Sequence, residues 1–341
     1  MKIDFEIAGR PGRVDAHHPL WSQALPMPSR FRPAAPEQTI AISHGAYFES
    51  IQTYLEADGG RPLRMALEAL APSAPRPALR QPINVILEKH GEFYHPARIQ
   101  VASGEKPHVL ALNVAVTPPG IECMQNELEA LDRVAPRLPA GTLPRVFDAG
   151  RSETPDGLSV QMFLADWFED HHEFHLSVDP QDGVQKTIVW DRRRGPYFLP
   201  PHLMADIYFQ AAFLLSRAYD PRSTRQIYPW HHAAGDFVLR RDADELHLKL
   251  ITVRQYAPTM APEDGQDLDD DARLMALMVF LANLSLRNRL DRMDGTGEMA
   301  WADDAAVSAT VAGFKKALEG SLSTDLVNLL RNYAEDDWMV L

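Results

Sequence analysis

The 341-residue sequence contains one cysteine, Cys123. An intrachain disulfide and a cysteine-based zinc site are both excluded. Positive charge is also scarce: 34 Lys and Arg stand against 47 Asp and Glu, for a formal net charge of -13. A nucleic-acid or anionic-membrane surface is therefore not expected to be the main business of the chain. Long hydrophobic runs are missing as well. The longest, LMALMVFLANL, is too short to span a bilayer and suits a buried helix. The opening MKIDFEIAGRPGRVD has no apolar stretch after its basic residues, so no signal peptide is expected. Together these absences point to a soluble, reducing and cytoplasmic setting.

What is present is ordinary globular composition, 45% hydrophobic and 24% charged, enough for a large core. The length suits one two-lobed domain. Prolines crowd the first 40 residues, as in HHPLWSQALPMPSRFRPAAPEQ, and read as an extended arm on the surface or a partly disordered segment. A helical pattern follows from Ser43 to Leu70, broken at Gly59-Gly60, and PSAPRPALRQP is a linker. Three strand-like runs, Ile83–Lys89, Phe93–Val101 and His108–Val116, read as an antiparallel meander. Their turns fall near His90-Gly91 and Ser103-Gly104, and Pro96 belongs at an edge or bulge. Met124, Leu128, Leu131 and Val134 keep helical spacing. Arg145–Ala149 and Ser159–Leu164 form a hairpin around Pro155-Asp156-Gly157. A polar insertion then runs to Pro201, and an apolar helix covers Met204–Tyr219. The strand-like runs DFVLRR and LHLKLITV, an apolar helix over 273–290, and helices near Ala305–Leu318 and Ser323–Tyr333 complete the chain. Asp267, Asp269, Asp270 and Asp271 precede the 273–290 helix and suit its N-terminal dipole.

This order, and several local stretches, resemble the protein-kinase-like fold in the branch of aminoglycoside and choline phosphotransferases, from Ile83 to the C-terminus. VLALNV is similar to the strand that presents the phosphate-binding lysine, and QNELEALDRV to the helix carrying its glutamate partner. LPRVFDAG and VQMFLADWFED resemble the strand before the hinge and the hinge itself. HHAAGDFVL resembles the catalytic loop, and LKLITVRQY the strand bearing a metal-binding aspartate. The implied fold class is α+β: a two-lobed arrangement of an antiparallel β N-lobe and a helical C-lobe, with an N-terminal extension. The implied divisions are 1–80 for the extension, 81–168 for the β-rich lobe and 169–341 for the helical lobe.

Phosphoryl transfer needs positive charge on the phosphates, carboxylates for magnesium and an aligner for the attacking hydroxyl. The resemblance puts Asn113 at the lysine position and Glu127 at the partner glutamate. It puts His231 where the catalytic aspartate is expected and Asp236 at the metal-binding asparagine. Thr252 stands at the metal aspartate, with Arg254 just beyond. The first hairpin has only Gly91 to cover phosphates. The implied function is a phosphotransferase relative of degenerate activity, binding a small molecule or protein partner in the interlobe cleft. A second reading is an active kinase on a small-molecule hydroxyl, with ATP and magnesium as cofactors. In it Asp236 takes the metal and His231 or His232 lies near the attacking group. Apart from the resemblance, His231, His232 and Asp236 read either as a reaction centre or as a structural loop. His171, His172 and His175 raise a third reading, a metal site. His171 and His175 would share a face if helical, and Asp236 is a further candidate ligand. Glu127 is either an ion-pair anchor, a solvated helix carboxylate or a partner of Arg254.

Overall fold

The computed structural model describes residues 1–26, 42–72, 82–102, 106–232, 235–260 and 268–319. The Ser103-Gly104 turn, most of the proline-rich linker, Asp267 and the Ser323–Tyr333 helix lie outside the described residues. The fold is α+β, β-rich toward the N-terminus and helical toward the C-terminus. It divides into two compact units. One comprises Met1–Leu128 with Pro144–Glu169, and the other Glu129–Leu143 with the chain from Asp170 onward.

The first unit is built on a sheet. β1 (Ile3–Ile7) is followed by the helix α1 (His44–Leu70), then β2 (Ile83–Leu87), β3 (Ala97–Val101), β4 (His108–Ala115), the helix α2 (Pro118–Val134), β5 (Val146–Glu153) and β6 (Ser159–Asp166). The strand order is β1-β2-β3-β4-β6-β5, antiparallel except for the parallel β1–β2 pair. The expected meander is present, with its middle strand starting after Pro96. Proline cannot donate to the ladder, and the Pro96 carbonyl instead accepts from the Glu88 N–H. Residues 3–7 depart from the surface-arm reading because they form a strand of the sheet, while residues 8–26 are mostly exposed turns. β1 is an edge strand paired with β2, and Phe5 stacks on Phe48 at 4.7 Å inside the core.

α1 starts where Ser43 Oγ accepts the Ala46 N–H, an N-cap bond. Its buried residues Tyr47, Phe48, Ile51, Tyr54 and Leu55 recur at helical spacing and pack on the sheet face that carries Leu110, Leu112 and Val114. Asp58, Gly59 and Gly60 take positive φ and kink the helix, as the Gly-Gly break suggested. The opposite face presents Ala115 and Phe163 to Met124 of α2.

After Glu129–Leu143 the second unit continues with β7 (Phe174–Val178), β8 (Gln185–Val189) and β9 (Tyr197–Phe198), a three-stranded antiparallel sheet where the sequence suggested only a polar insertion. Its strands are short and carry Lys186, Ser177 and Thr187, which hides their alternation. The helix α3 (Pro201–Ala218), β10 (Arg225–Ile227), the hairpin β11 (Phe237–Asp242) and β12 (Glu245–Leu250), and β13 (Tyr256–Pro258) follow. The helix α4 (Asp270–Arg289), the pair β14 (Leu290–Arg292) and β15 (Met299–Trp301), and the helix α5 (Asp304–Leu318) complete it. Asp269 caps α4 by accepting the Ala272 N–H, so the acidic run is structural. α3, α4 and α5 share one core through Leu215, Phe280 and Phe314.

α5 approaches α3 through Gly313. A Cβ there would stand 3.0 Å from the Phe213 nitrogen and 3.1 Å from the Ala212 Cβ, and closer still to the Phe209 carbonyl oxygen. Alanine would gain about 1 kcal/mol in helix propensity. Overpacking against backbone atoms that cannot yield costs about 1–3 kcal/mol. The steric cost prevails: Gly313→Ala should lower the melting temperature by roughly 2–8 °C. An unchanged or raised melting temperature would show that the two helices can separate there freely.

Candidate functional site

The segment from Tyr228 to Asp236 enters β11, and Arg254 lies beyond β12. Trp230 is buried and packs edge-on to Phe237 with centroids 6.0 Å apart, which anchors the loop entrance. Gly235 takes φ +72°, and its N–H reaches the His232 carbonyl at 2.8 Å. Only glycine adopts that backbone without strain. The Asp236 carbonyl accepts the Ile251 N–H at 2.8 Å, which ties the loop to the end of the hairpin.

Asp236 is 1% exposed. Arg254 grips it with both terminal nitrogens, Nη2 to Oδ1 at 2.5 Å and Nη1 to Oδ2 at 2.6 Å. The His231 N–H donates to Oδ2 at 2.7 Å. This bidentate pair brings together two of the sequence candidates. It places a guanidinium against the carboxylate that was a candidate metal ligand. Thr252 lies in the irregular stretch between β12 and Arg254, half-buried.

The histidines form a second, deeper cluster. His232 Nε2–H donates to the Asn288 carbonyl at 3.0 Å, because a carbonyl only accepts. Its Nδ1 is 3.8 Å from Asp291 Oδ2 and makes no hydrogen bond among the described residues. The His232 ring stacks on Phe174 at 5.8 Å. His175 approaches the same Asp291 from β7, Nδ1 to Oδ1 at 3.2 Å, with its ring 4.7 Å from that of Trp190. The Leu176 and Arg292 N–H groups also donate to Asp291, each at 2.7 Å. Asn288 Nδ2 in turn bonds the Tyr208 carbonyl on α3 at 2.9 Å and Thr310 on α5 at 2.8 Å. His175 and His232 thus converge on one buried carboxylate rather than on an open pocket.

Burial drives the pKa values here. It pushes His231 down to about 4, with neighbouring His232 adding to the shift. It also lowers His232, against the pull of Asp291. Burial alone would raise Asp291, but the hydrogen bond from His175, the nearby His232 and the Arg292 and Leu176 N–H groups hold it below the usual carboxylate range.

His171 and His175 do not share a helix face. A turn at Glu169-Asp170, with Asp170 at φ +56°, precedes them, and His175 lies on β7. His172 exchanges backbone bonds with Leu239 and sets its Nε2 3.6 Å from Asp191. Among the described residues no group of three or more His, Cys, Asp or Glu is arranged to hold a metal ion. No described helix is long and apolar enough to cross a membrane.

In the first unit, Asn113 is half-buried on β4 opposite Phe163 of β6, on the sheet face turned to α2. Glu127 is 1% exposed, so the solvated-carboxylate reading is corrected. It lies by the Tyr94 hydroxyl, which is 3.5 Å from Cys123 Sγ. Burial first, then the charges of Glu127 and Cys123 and hydrogen bonds to both, drive the Tyr94 pKa far up. Lys249, the nearest lysine in sequence to the hairpin's end, donates to the Gly141 carbonyl at 2.7 Å. Sequence reasoning missed Asp291, Asn288 and Trp190. Each is a single polar or aromatic residue whose partners are distant along the chain, and no spacing announces it.

Two outcomes follow. Arg254→Ala leaves Asp236 a buried uncompensated charge and should cost about 3–5 kcal/mol in urea unfolding. Asp236→Asn combined with Arg254→Met should cost much less than the sum of the single variants. Equal and additive losses would mean that the pair is not coupled. His231 and His232 have folded pKa values below the ordinary histidine value near 6.5. The unfolded chain therefore binds more protons between about pH 6.5 and 4, and stability falls on acidification through that window. Depressed Asp291 adds a further loss only below its ordinary value of 3.8. Urea midpoints at pH 7.5, 6 and 5 should decline in step, and His231→Gln should flatten the decline.

No protein-family model matches the chain. No curated protein matches it. Among solved structures, one described as WaaP in complex with acyl carrier protein is similar at 11% identity, covering 73% of this chain and 87% of that one, with a TM-score of 0.33. That identity and that score assign the chain neither a family nor an activity.

Proposed function

We propose that the chain is a kinase-like protein that has lost phosphoryl-transfer chemistry and binds a small molecule or a protein partner at the Asp236 loop. The observation that carries this reading is the occupation of Asp236. Both of its oxygens are taken by Arg254, and one also by the His231 N–H. Magnesium needs near-octahedral oxygen ligation and gives up its water reluctantly. A carboxylate already saturated by a guanidinium is a poor ligand for it.

The remaining positions support the same reading. Three antiparallel strands, a helix, two strands and a helical region follow in the order the resemblance implies. Asn113 brings no positive charge to a phosphate, and Thr252 brings no negative charge to a metal. His231, with its pKa near 4, is a weak base at neutral pH. Arg254 is itself spent on Asp236, so the pair brings neither a free carboxylate to a metal nor a free cation to a phosphate.

The test is titration of the full chain with Mg-ATP, following thermal melting and phosphate release. The expected result is no release above that of an Asp236→Ala control. Any stabilisation by nucleotide should be the same with EDTA as with magnesium. Magnesium-dependent turnover that disappears in Asp236→Ala would overturn the proposal and establish an active phosphotransferase.

A further inference from the structure

A different group of histidines lies in the first unit. The stretch His90-Gly91-Glu92-Phe93-Tyr94-His95 joins β2 to β3. The Gly91 N–H donates to the Tyr94 carbonyl at 2.9 Å, and a Cβ on Gly91 would fall 2.9 Å from that oxygen. Glycine therefore permits a turn tight enough to fold His90 back on His95. The two Nδ1 atoms stand 3.0 Å apart, with ring centroids at 5.2 Å.

His95 is held firmly. It is 2% exposed, its N–H donates to the Val114 carbonyl at 2.8 Å, and its carbonyl accepts the Tyr47 hydroxyl at 2.8 Å. His90 is exposed, and of the two facing Nδ1 atoms the one that carries a proton donates to the other. His44, at the first turn of α1, sets its ring perpendicular to that of His90 at 6.1 Å. Its Nδ1 lies 2.9 Å from the Gln23 carbonyl, which only accepts, so Nδ1 carries the proton and the neutral ring keeps its Nε2 lone pair.

Two nitrogens bound to one late first-row cation at about 2.0–2.1 Å stand roughly 2.9 Å apart at a right angle and about 3.3 Å apart in a tetrahedron. The His90–His95 separation falls between these values. We propose that His90 and His95 form a two-nitrogen site for a divalent transition cation of the zinc, nickel or copper class. Both Nδ1 atoms ligate, and the remaining positions are left to water or an outside donor. His44 is the nearest further nitrogen donor, one ring away. Burial lowers the pKa of His90, with His44 and Arg10 adding, and that of His95, with His90 and His44 adding. Arg10 opposes a bound cation and limits affinity. The competing account is one N–H···N hydrogen bond and nothing more.

The proposal is independent of the Asp236 loop. The experiment is equilibrium dialysis of the full, untagged chain against Cu²⁺, Ni²⁺ and Zn²⁺ in turn, with metal analysis and copper electron paramagnetic resonance. One equivalent should bind, with a copper spectrum showing nitrogen ligation. Outer-shell partners alone are worth about 10–100-fold in affinity, so loss of a ligand in His90→Ala should cost at least tenfold. His90 is exposed, so this variant tests the site without disturbing the core, whereas His95→Gln is a check to be read beside its melting curve. His171→Ala should bind as the parent does. Failure to bind any of the three metals at one equivalent, or undiminished binding in His90→Ala, would overturn the proposal and leave the hydrogen bond as the whole explanation.

Discussion

The second unit depends on a charge that cannot reach water. Asp236 is almost fully buried at the end of a loop that must deliver Phe237 into the core. A bare carboxylate there would be prohibitive. Arg254 resolves this, and in doing so fixes the separation between the loop and the irregular stretch beyond β12, 18 residues later. The Ile251 N–H on the Asp236 carbonyl and the His231 N–H on its side chain follow from the same placement. One ion pair therefore holds both ends of the hairpin. Its chemical consequence is equally direct, because the carboxylate that makes the hairpin stable is not open to a cation.

The legible parts of this fold were those written in local periodicity. Ser43 as a cap, the Gly59-Gly60 break, the β2–β4 meander and the Pro155-Asp156-Gly157 turn each declare themselves within a dozen residues. β1 was not legible, since its partner β2 is about 80 residues away and prolines dominate the residues after it. The β7–β9 sheet was hidden by its short strands and polar faces.

The candidate site was legible by half. Asp236, Arg254 and His231 do meet, but the sequence offered no reason to join Asp236 to Arg254 rather than to a metal. His175 and His232 also meet, through Asp291, a residue in no motif. Glu127 had the opposite fate: its helix position was clear and its burial was not, because burial depends on residues distant in the chain such as Tyr94. Pairing between distant residues is a property of the packed core, and neither composition nor spacing encodes it on the page.

Asn288 has an effect wider than its size. Its side-chain amide joins α3 to α5, while its backbone oxygen holds His232. The loop is therefore fastened at its middle to the three-helix core, and at its end to the hairpin through Asp236. Moving His232 from its place therefore means breaking its bond to the helical core. Any ligand that needs the loop to move must work against the stability of the whole helical core, and the loop suits a ligand that it meets already in shape.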